Sequence, residues 1–383
     1  MAFASAYIVS ARRSALGRVG GLHRNRRLVE LAAPVLVAAI EDAGLKATEV
    51  EELIVGNASE GGNPARLIGL TAGLADTSSA YTIDRSCASG LDAILAAART
   101  VGNGEAEVVL AGGGSALSTA PWRIGRPAEL HQLPRFLGAE LEDEHPVEAM
   151  ERLLRKLGIS RMRQDTLVFQ AHMRAEAART AKRFVGEIVP IRANAEEARD
   201  QSAVEPSLEE LAKLPTFVPG TGTLTRGNSS APHDGAAFVA IVSERVWTRL
   251  GKPPALRLLA AAAHGVSPED EGLAPIAALS KALARAALKP RDISRIEVSE
   301  SSAAQVLALA QSLDVDESVI NPDGGAVVRG HPGAAAGAVI AVRLFTGLIR
   351  AKAGAGSRRG AVALGAAGGL GVAAIFEAVS DKP

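Results

Sequence analysis

Cysteine is almost missing from this chain. Cys87 is the only one in 383 residues, so no internal disulfide and no zinc site built on paired thiolates can form. The seven histidines are scattered, none at ligand spacing from another, and no metal site is expected. Aromatic residues make up only 3%, which leaves no bulky-ring pocket legible and puts the packing onto small side chains. Charge of one sign is not in excess either: 42 Lys+Arg balance 42 Asp+Glu. A nucleic-acid binder carries a basic excess or stripe, and neither is present. The densest basic cluster, Arg24-Asn25-Arg26-Arg27, reads as a solvated loop. Long hydrophobic runs are absent. The longest uncharged stretch, 360–376, is rich in glycine and falls short of the roughly 20 apolar residues of a membrane span. The first residues lack the charged segment and apolar core of a signal peptide, so the cytoplasm is the expected compartment.

What the chain does contain is small and apolar. Hydrophobic residues reach 47%, charged residues 22%, and glycine numbers 39, the make-up of a globular protein whose elements approach closely. The length calls for two or three domains, or for one architecture built from repeated halves. Strand patterns at 6–9, 54–57, 81–83 and 107–111 alternate with helical patterns at 28–43, 64–75 and 87–101. Gly112, Gly113 and Gly114 are expected to close the fourth strand. The stretch 118–226 is longer and more charged and reads as an inserted loop domain. A strand at 235–242 returns to the core. After Pro253-Pro254 the rhythm resumes, with strands at 256–261 and 293–298, helices at 275–288 and 302–313, and a hairpin of 361–364 with 372–377. This alternation predicts an α/β protein with a buried sheet and helices on its faces. The expected units are 1–117 completed by 227–252, the loop domain 118–226, and a second half 253–383.

Two residues stand out chemically. Cys87 falls between a strand end and a helix start, where backbone N–H groups and the helix dipole stabilise a thiolate and lower its pKa. That would make a nucleophile, although a lone cysteine is as often a small buried hydrophobe. His331 stands in Gly330-His331-Pro332, among small residues at 324–337, where it could approach a nucleophile as its base or be a satisfied or surface histidine. The glycines at 112–114 and 368–371 could aim N–H groups at an oxyanion or be plain turns. No strand–GxGxxG–helix unit with a following acidic residue marks a dinucleotide site.

Seven ordered segments resemble the thiolase family from end to end. They are Ile8-Val9-Ser10-Ala11-Arg12 with Gly17; Asn63-Pro64-Ala65-Arg66; and Asp84-Arg85-Ser86-Cys87-Ala88-Ser89-Gly90-Leu91. Gly158-Ile159-Ser160 with Gln164-Asp165 follows, then Glu187-Ile188-Val189-Pro190 and Asn228-Ser229-Ser230 with Asp234-Gly235-Ala236-Ala237. Asn321-Pro322-Asp323-Gly324-Gly325 through Gly330-His331-Pro332 completes the series. The resemblance implies a five-layered αβαβα thiolase fold of two similar halves, assembled as a homodimer or homotetramer. It implies that Cys87 accepts the acyl group, and that His331 activates the sulfur and helps form an oxyanion hole. His145 falls where relatives place a histidine near coenzyme A, although Pro146 follows it where they have methionine. Coenzyme A and acyl-CoA enter as substrates, with no permanently bound cofactor.

The resemblance fails at two places. Thiolases carry a second cysteine in a Cys-x-Gly-Gly-Gly turn, where it moves a proton on the methyl carbon of acetyl-CoA. Here that turn reads Gly365-Ala366-Ala367-Gly368-Gly369-Leu370-Gly371. The family's Asn-Glu-Ala-Phe motif, whose asparagine orients a water at the enolate oxygen, is replaced by Ser299-Glu300-Ser301-Ser302. Ser299 retains one donor, and a lost oxyanion donor costs roughly 3 kcal/mol of barrier. Glu300, Ser301, His264 and His233 are candidates to stand in for the missing groups. The expected function is an acyl-CoA acyltransferase forming acyl-Cys87, with thiolysis or condensation as its second half. The alternatives are hydrolysis or transfer to another acceptor, and a non-catalytic subunit that binds acyl-CoA or pairs with an active, heteromeric partner.

Overall fold

Runs of β-branched and small apolar residues, broken by glycine, produce nine strands of five residues or more among the described residues. In the computed structural model, which describes residues 6–124, 130–131, 146–192, 196–201, 206–351 and 358–380, the elements follow in order. The first part holds β1 (Ala6–Ser14), α1 (Leu28–Asp42), β2 (Glu52–Gly56), α2 (Pro64–Thr71), β3 (Ser79–Ile83), α3 (Ser89–Gly102) and β4 (Val108–Ser115). Helices α4 (Pro146–Leu157) and α5 (Arg161–Thr180) precede β5 (His233–Ser243). The last part holds β6 (Ala255–Gly265), α6 (Ala274–Arg285), β7 (Arg295–Ser299), α7 (Ala303–Leu313), α8 (Ala336–Phe345), β8 (Arg359–Ala366) and β9 (Leu370–Val379).

The strands lie in the order β7-β8-β9-β6-β1-β5-β4-β2-β3. The two sides repeat one plan. β1 pairs antiparallel with β5, and β5 with β4, after which β4, β2 and β3 run parallel. β6 pairs antiparallel with β9, and β9 with β8, after which β8 and β7 run parallel. A short antiparallel contact of β1 with β6, Tyr7 opposite Arg257, joins the two. Each side places its first strand beside its last, as the resemblance implies for a fold of two similar halves.

Three apolar cores give the layering. One fills the space between α1, α2 and the outer face of β1, β2, β4 and β5. The central one buries α3 and α8 between the inner faces of both sides, and the third packs α6 and α7 on the outer face of β7, β8 and β9. The middle helices touch through glycine. A Cβ on Gly90 would lie 2.8 Å from the Ala334 carbonyl oxygen, and one on Gly337 would lie 2.6 Å from the Leu91 nitrogen. Any larger residue would force these helices apart. The segment Gly333–Arg350 is long and apolar enough to cross a membrane, but 78% of it is buried inside the protein, where the central core accounts for its composition.

Three sequence expectations need correcting here. Gly112–Gly114 do not close a strand; they lie inside β4, paired with Phe238, Ala237 and Ala236. A Cβ at Gly112 would sit 1.9 Å from the Ala237 carbonyl oxygen, so these glycines serve close approach. Helix α3 begins at Ser89 and leaves Cys87 in the preceding turn. Within the basic cluster Arg26 is not free in solvent, since its guanidinium donates to Glu197 at 2.6 Å.

The stretch 118–226 is keyed into both sides. Ile188–Val189 forms a short strand parallel to β1, while Met150, Leu153, Leu154, Leu167 and Val168 of α4 and α5 enter the α6–α7 core. A buried charge chain reinforces the join. Arg13 of β1 donates to Glu187 at 2.6 Å and to Asp200 at 2.6 and 2.9 Å. Arg343 of α8 donates to the other Glu187 oxygen and to Asp323. Asp323 in turn receives Arg295 and Arg183.

Candidate active site

Cys87 is presented by a turn laced from its own residues. The Asp84 carboxylate accepts the Ser86 N–H at 2.8 Å. Ser89 Oγ donates to the Ser86 carbonyl at 2.6 Å and accepts the Arg85 N–H at 2.8 Å. Ser86 is thereby held at φ 48°, a left-handed conformation unusual for a residue with a side chain. The end of β2 braces the turn, since a Cβ on Gly56 would lie 2.3 Å from the Gly90 nitrogen. The thiol is partly buried against the central core.

Burial pushes the Cys87 thiol up to about 11, with the negative charge of Glu271 adding to it and the residue's own N–H opposing it. The sequence reading expected a lowered pKa from the helix start. Desolvation wins instead, because the charged form loses more solvent than one N–H returns. Cys87 is therefore a thiol at neutral pH and needs a base.

His331 is fixed at its backbone and at its ring. Its N–H donates to the Ala231 carbonyl at 2.8 Å, and its carbonyl accepts the His233 N–H at 2.9 Å. Gly330 before it has φ 94° and lies flat on the His233 ring, where a Cβ would come within 2.0 Å of Nδ1. His331 Nδ1 lies 3.0 Å from Ser299 Oγ at the end of β7. Burial lowers the His331 pKa to about 4 against the opposing charge of Glu300, so the ring is neutral at pH 7. The chain leaving His331 returns to the nucleophile: Ala334, three residues on, packs on Gly90, three residues after Cys87, and its N–H donates to Ser115 Oγ at 3.0 Å.

Of the four groups named as stand-ins, Glu300 and one ring nitrogen of His233 are held by backbone and side-chain partners. Glu300 is buried and accepts Asn321 Nδ2 at 2.8 Å and the Val327 N–H at 3.1 Å, which holds the loop leading to His331. His233 Nδ1 is 2.9 Å from the Ala231 carbonyl oxygen. His264 and Ser301 are exposed. His145 lies outside the described residues. A cleft of about 750 Å³ between the end of α5 and residues 182–188 and 196–201 contains none of Cys87, His331 or Ser299.

One residue that sequence reasoning missed lies close enough for its charge to raise the Cys87 thiol. Glu271 lies in the short helical turn Pro268–Leu273 after β6. Its carboxylate accepts the Gly368 N–H at 3.2 Å, against the turn that begins at Gly365. A Cβ on Gly365 would meet Pro275, Gln305 and Leu370 no closer than 3.5 Å, so that position is open. In the run Glu269-Asp270-Glu271 the first two are exposed and the third half-buried. Only the glycine that follows could have set it apart.

Comparison with known proteins adds an independent line. The model of the thiolase N-terminal domain matches residues 6–245, and that of the thiolase C-terminal domain matches residues 252–378. An acetyl-CoA acetyltransferase of Cupriavidus necator is 35% identical over 402 residues, covering 97% of this chain and 98% of its own. A probable acetyl-CoA acetyltransferase of Escherichia coli is 35% identical over 389 residues, with the same coverage of both chains. Among solved structures, the acetyl-CoA acetyltransferase of Bacillus anthracis aligns with TM-score 0.89 at 33% identity, covering 98% of this chain and 99% of that one. Human mitochondrial 3-ketoacyl-CoA thiolase aligns with TM-score 0.89 at 30% identity, over 99% and 100%.

Proposed function

We propose, from the premise that this chain belongs to the thiolase family of acyltransferases, that it transfers acyl groups from coenzyme A through a thioester on Cys87. The observation that carries the reading is that a poorly solvated thiol and a neutral histidine, its Nδ1 held by Ser299, stand on segments that pack together where Gly90 meets Ala334. With the Nδ1 proton given to Ser299 Oγ, Nε2 is left as the base. Cys87 Sγ attacks the thioester carbonyl carbon as its proton passes to Nε2. The tetrahedral intermediate then expels the coenzyme A sulfur, which takes that proton. An imidazole with a pKa near 4 is a weak proton holder and a ready donor, which suits the second step better than the first.

The test is to incubate the protein with acetyl-CoA and map the modified peptide by mass spectrometry. The acetyl group is expected on Cys87; an adduct elsewhere, or none with acetyl-CoA and longer acyl-CoAs, overturns the reading. The same sample separates the fates of the acyl group. Ketoacyl-CoA formation marks condensation, and free coenzyme A with acetate marks hydrolysis.

Ser299 acts here as a positioning residue. Ser299→Ala is expected to slow adduct formation roughly five- to tenfold, the worth of one hydrogen bond of about 1 kcal/mol. Ser299→Thr, which keeps the hydroxyl, should stay near the native rate. Equal losses in both variants would point to packing instead of ring orientation.

A further inference from the structure

We propose that Glu271 is the acid and base of the carbon-acid half of the reaction, taking a proton from C2 of an acyl-CoA set against acyl-Cys87 and returning it in cleavage. The inference rests on the acyl-Cys87 reading above. Carbon–carbon bond formation at C2 requires a group that removes its proton, and Cys87 is the only thiol in the chain. Glu271 is a carboxylate held against the Gly365–Gly371 turn, and its charge reaches the Cys87 thiol.

Several contacts hold it there. Gly368 and Gly369 have φ 83° and 75°, a left-handed pair that turns backbone N–H groups toward the carboxylate; the Gly368 N–H reaches it at 3.2 Å. The two segments interlock, since the Val266 N–H donates to the Gly369 carbonyl at 2.8 Å. A Cβ at Gly369 would lie 2.4 Å from the Val266 carbonyl oxygen. Behind Glu271, Gly272 is pressed on α4, where a Cβ would come within 2.8 Å of Met150 and Leu153. That contact keeps Glu271 turned inward while Glu269 and Asp270 face solvent.

Among the described residues no ion pair neutralises Glu271. Burial raises its pKa above the ordinary glutamate range against the two glycine N–H groups. The carboxylate thus moves toward the basicity that proton abstraction requires. Its negative charge also acts on the Cys87 thiol, whose pKa it raises.

In condensation the carboxylate takes a C2 proton, and the electron pair of that bond becomes the new bond to the carbonyl carbon of acyl-Cys87. The carbon–sulfur bond breaks, and its pair returns to Sγ. The proton held on Glu271 then restores the thiol, leaving the carboxylate free. Cleavage runs the same steps backward.

The experiment compares the native chain with Glu271→Gln, which keeps an acceptor for the Gly368 N–H. Both are incubated with acetyl-CoA in deuterated buffer, and the Cys87 adduct and deuterium in the acetyl methyl group are read by mass spectrometry. The variant is expected to form the adduct at least as fast as the native chain, while methyl exchange falls a hundredfold or more. Exchange retained in the variant, or absent from a native chain that does become acylated, overturns the role of Glu271. Loss of adduct and exchange together in the variant makes the residue structural and also overturns it. No adduct in the native chain overturns the acyl-enzyme reading itself.

Discussion

With His331 replaced by alanine, acylation of Cys87 by acetyl-CoA is expected to slow by roughly 10⁴-fold at pH 7, and to recover about tenfold per pH unit on the way to pH 11. The size follows from the thiol. Burial and the Glu271 charge hold Cys87 at about 11, so without a base only about one molecule in 10⁴ carries a thiolate at pH 7. The native chain should lack this steep dependence, because His331 takes the proton as the sulfur attacks. Stopped-flow measurement of adduct formation between pH 6 and 10 checks both slopes. A shallow profile in His331→Ala would mean that another base serves Cys87.

The same histidine contributes to acid sensitivity, and its sign is opposite to that of a salt-bridged histidine. Its folded pKa, about 4, lies below the ordinary 6.5. Between these values the unfolded chain binds the extra proton, so this contribution is complete above pH 6.5 and is lost as the pH falls toward 4.

Replacing Glu187 by glutamine is expected to destabilise the fold by about 3–5 kcal/mol, the largest stability effect argued from this structure. Glu187 lies between two guanidiniums, Arg13 and Arg343, and all three side chains are fully buried. Burial alone would raise its pKa, but the charges of Arg343 and Arg13 outweigh that and hold it at about 2. Glutamine keeps the shape and removes the charge, leaving two cations in the interior with Asp200 and Asp323 alone to oppose them. Urea unfolding should show a lower midpoint with an unchanged slope. An unshifted midpoint would mean that water reaches these groups. Neutralising Glu209, in its exposed pair with Lys213, should change little, because solvent screens such pairs. The depressed Glu187 pKa sets a second window: its contribution is complete above about pH 4.5 and is lost as the pH falls toward 2.

Both residues bear on one joint. Glu187 comes from the 118–226 stretch, Arg13 from the first strand, and Arg343 from the helix that follows His331 by way of Ala334 and Ala335. Loosening the charge chain should therefore disturb the loop that carries His331. Asp323 and Arg329, in that loop, are joined to each other at 3.0 Å.

Much was determined by the sequence alone. The strand and helix rhythm is a local property of side-chain period, and it located β2, α3, β6, α7 and the β8–β9 hairpin to within a few residues. A single cysteine named the candidate nucleophile and removed any second thiol without reference to structure. What only the tertiary structure decided are the quantities set by distant neighbours. Gly112–Gly114 read as a turn because glycine is ambiguous, and they became strand because Ala237 and the central helices approach too closely for a side chain. A helix start suggested a lowered Cys87 pKa, but the thiol rises because the folded chain takes solvent away and brings Glu271, 184 positions along, into its field. Ser299 and His331, 32 positions apart, meet at 3.0 Å through the pairing of β7 and the return of the 321–331 loop. Local pattern encodes which element forms; dielectric, field and approach distance belong to the packed whole.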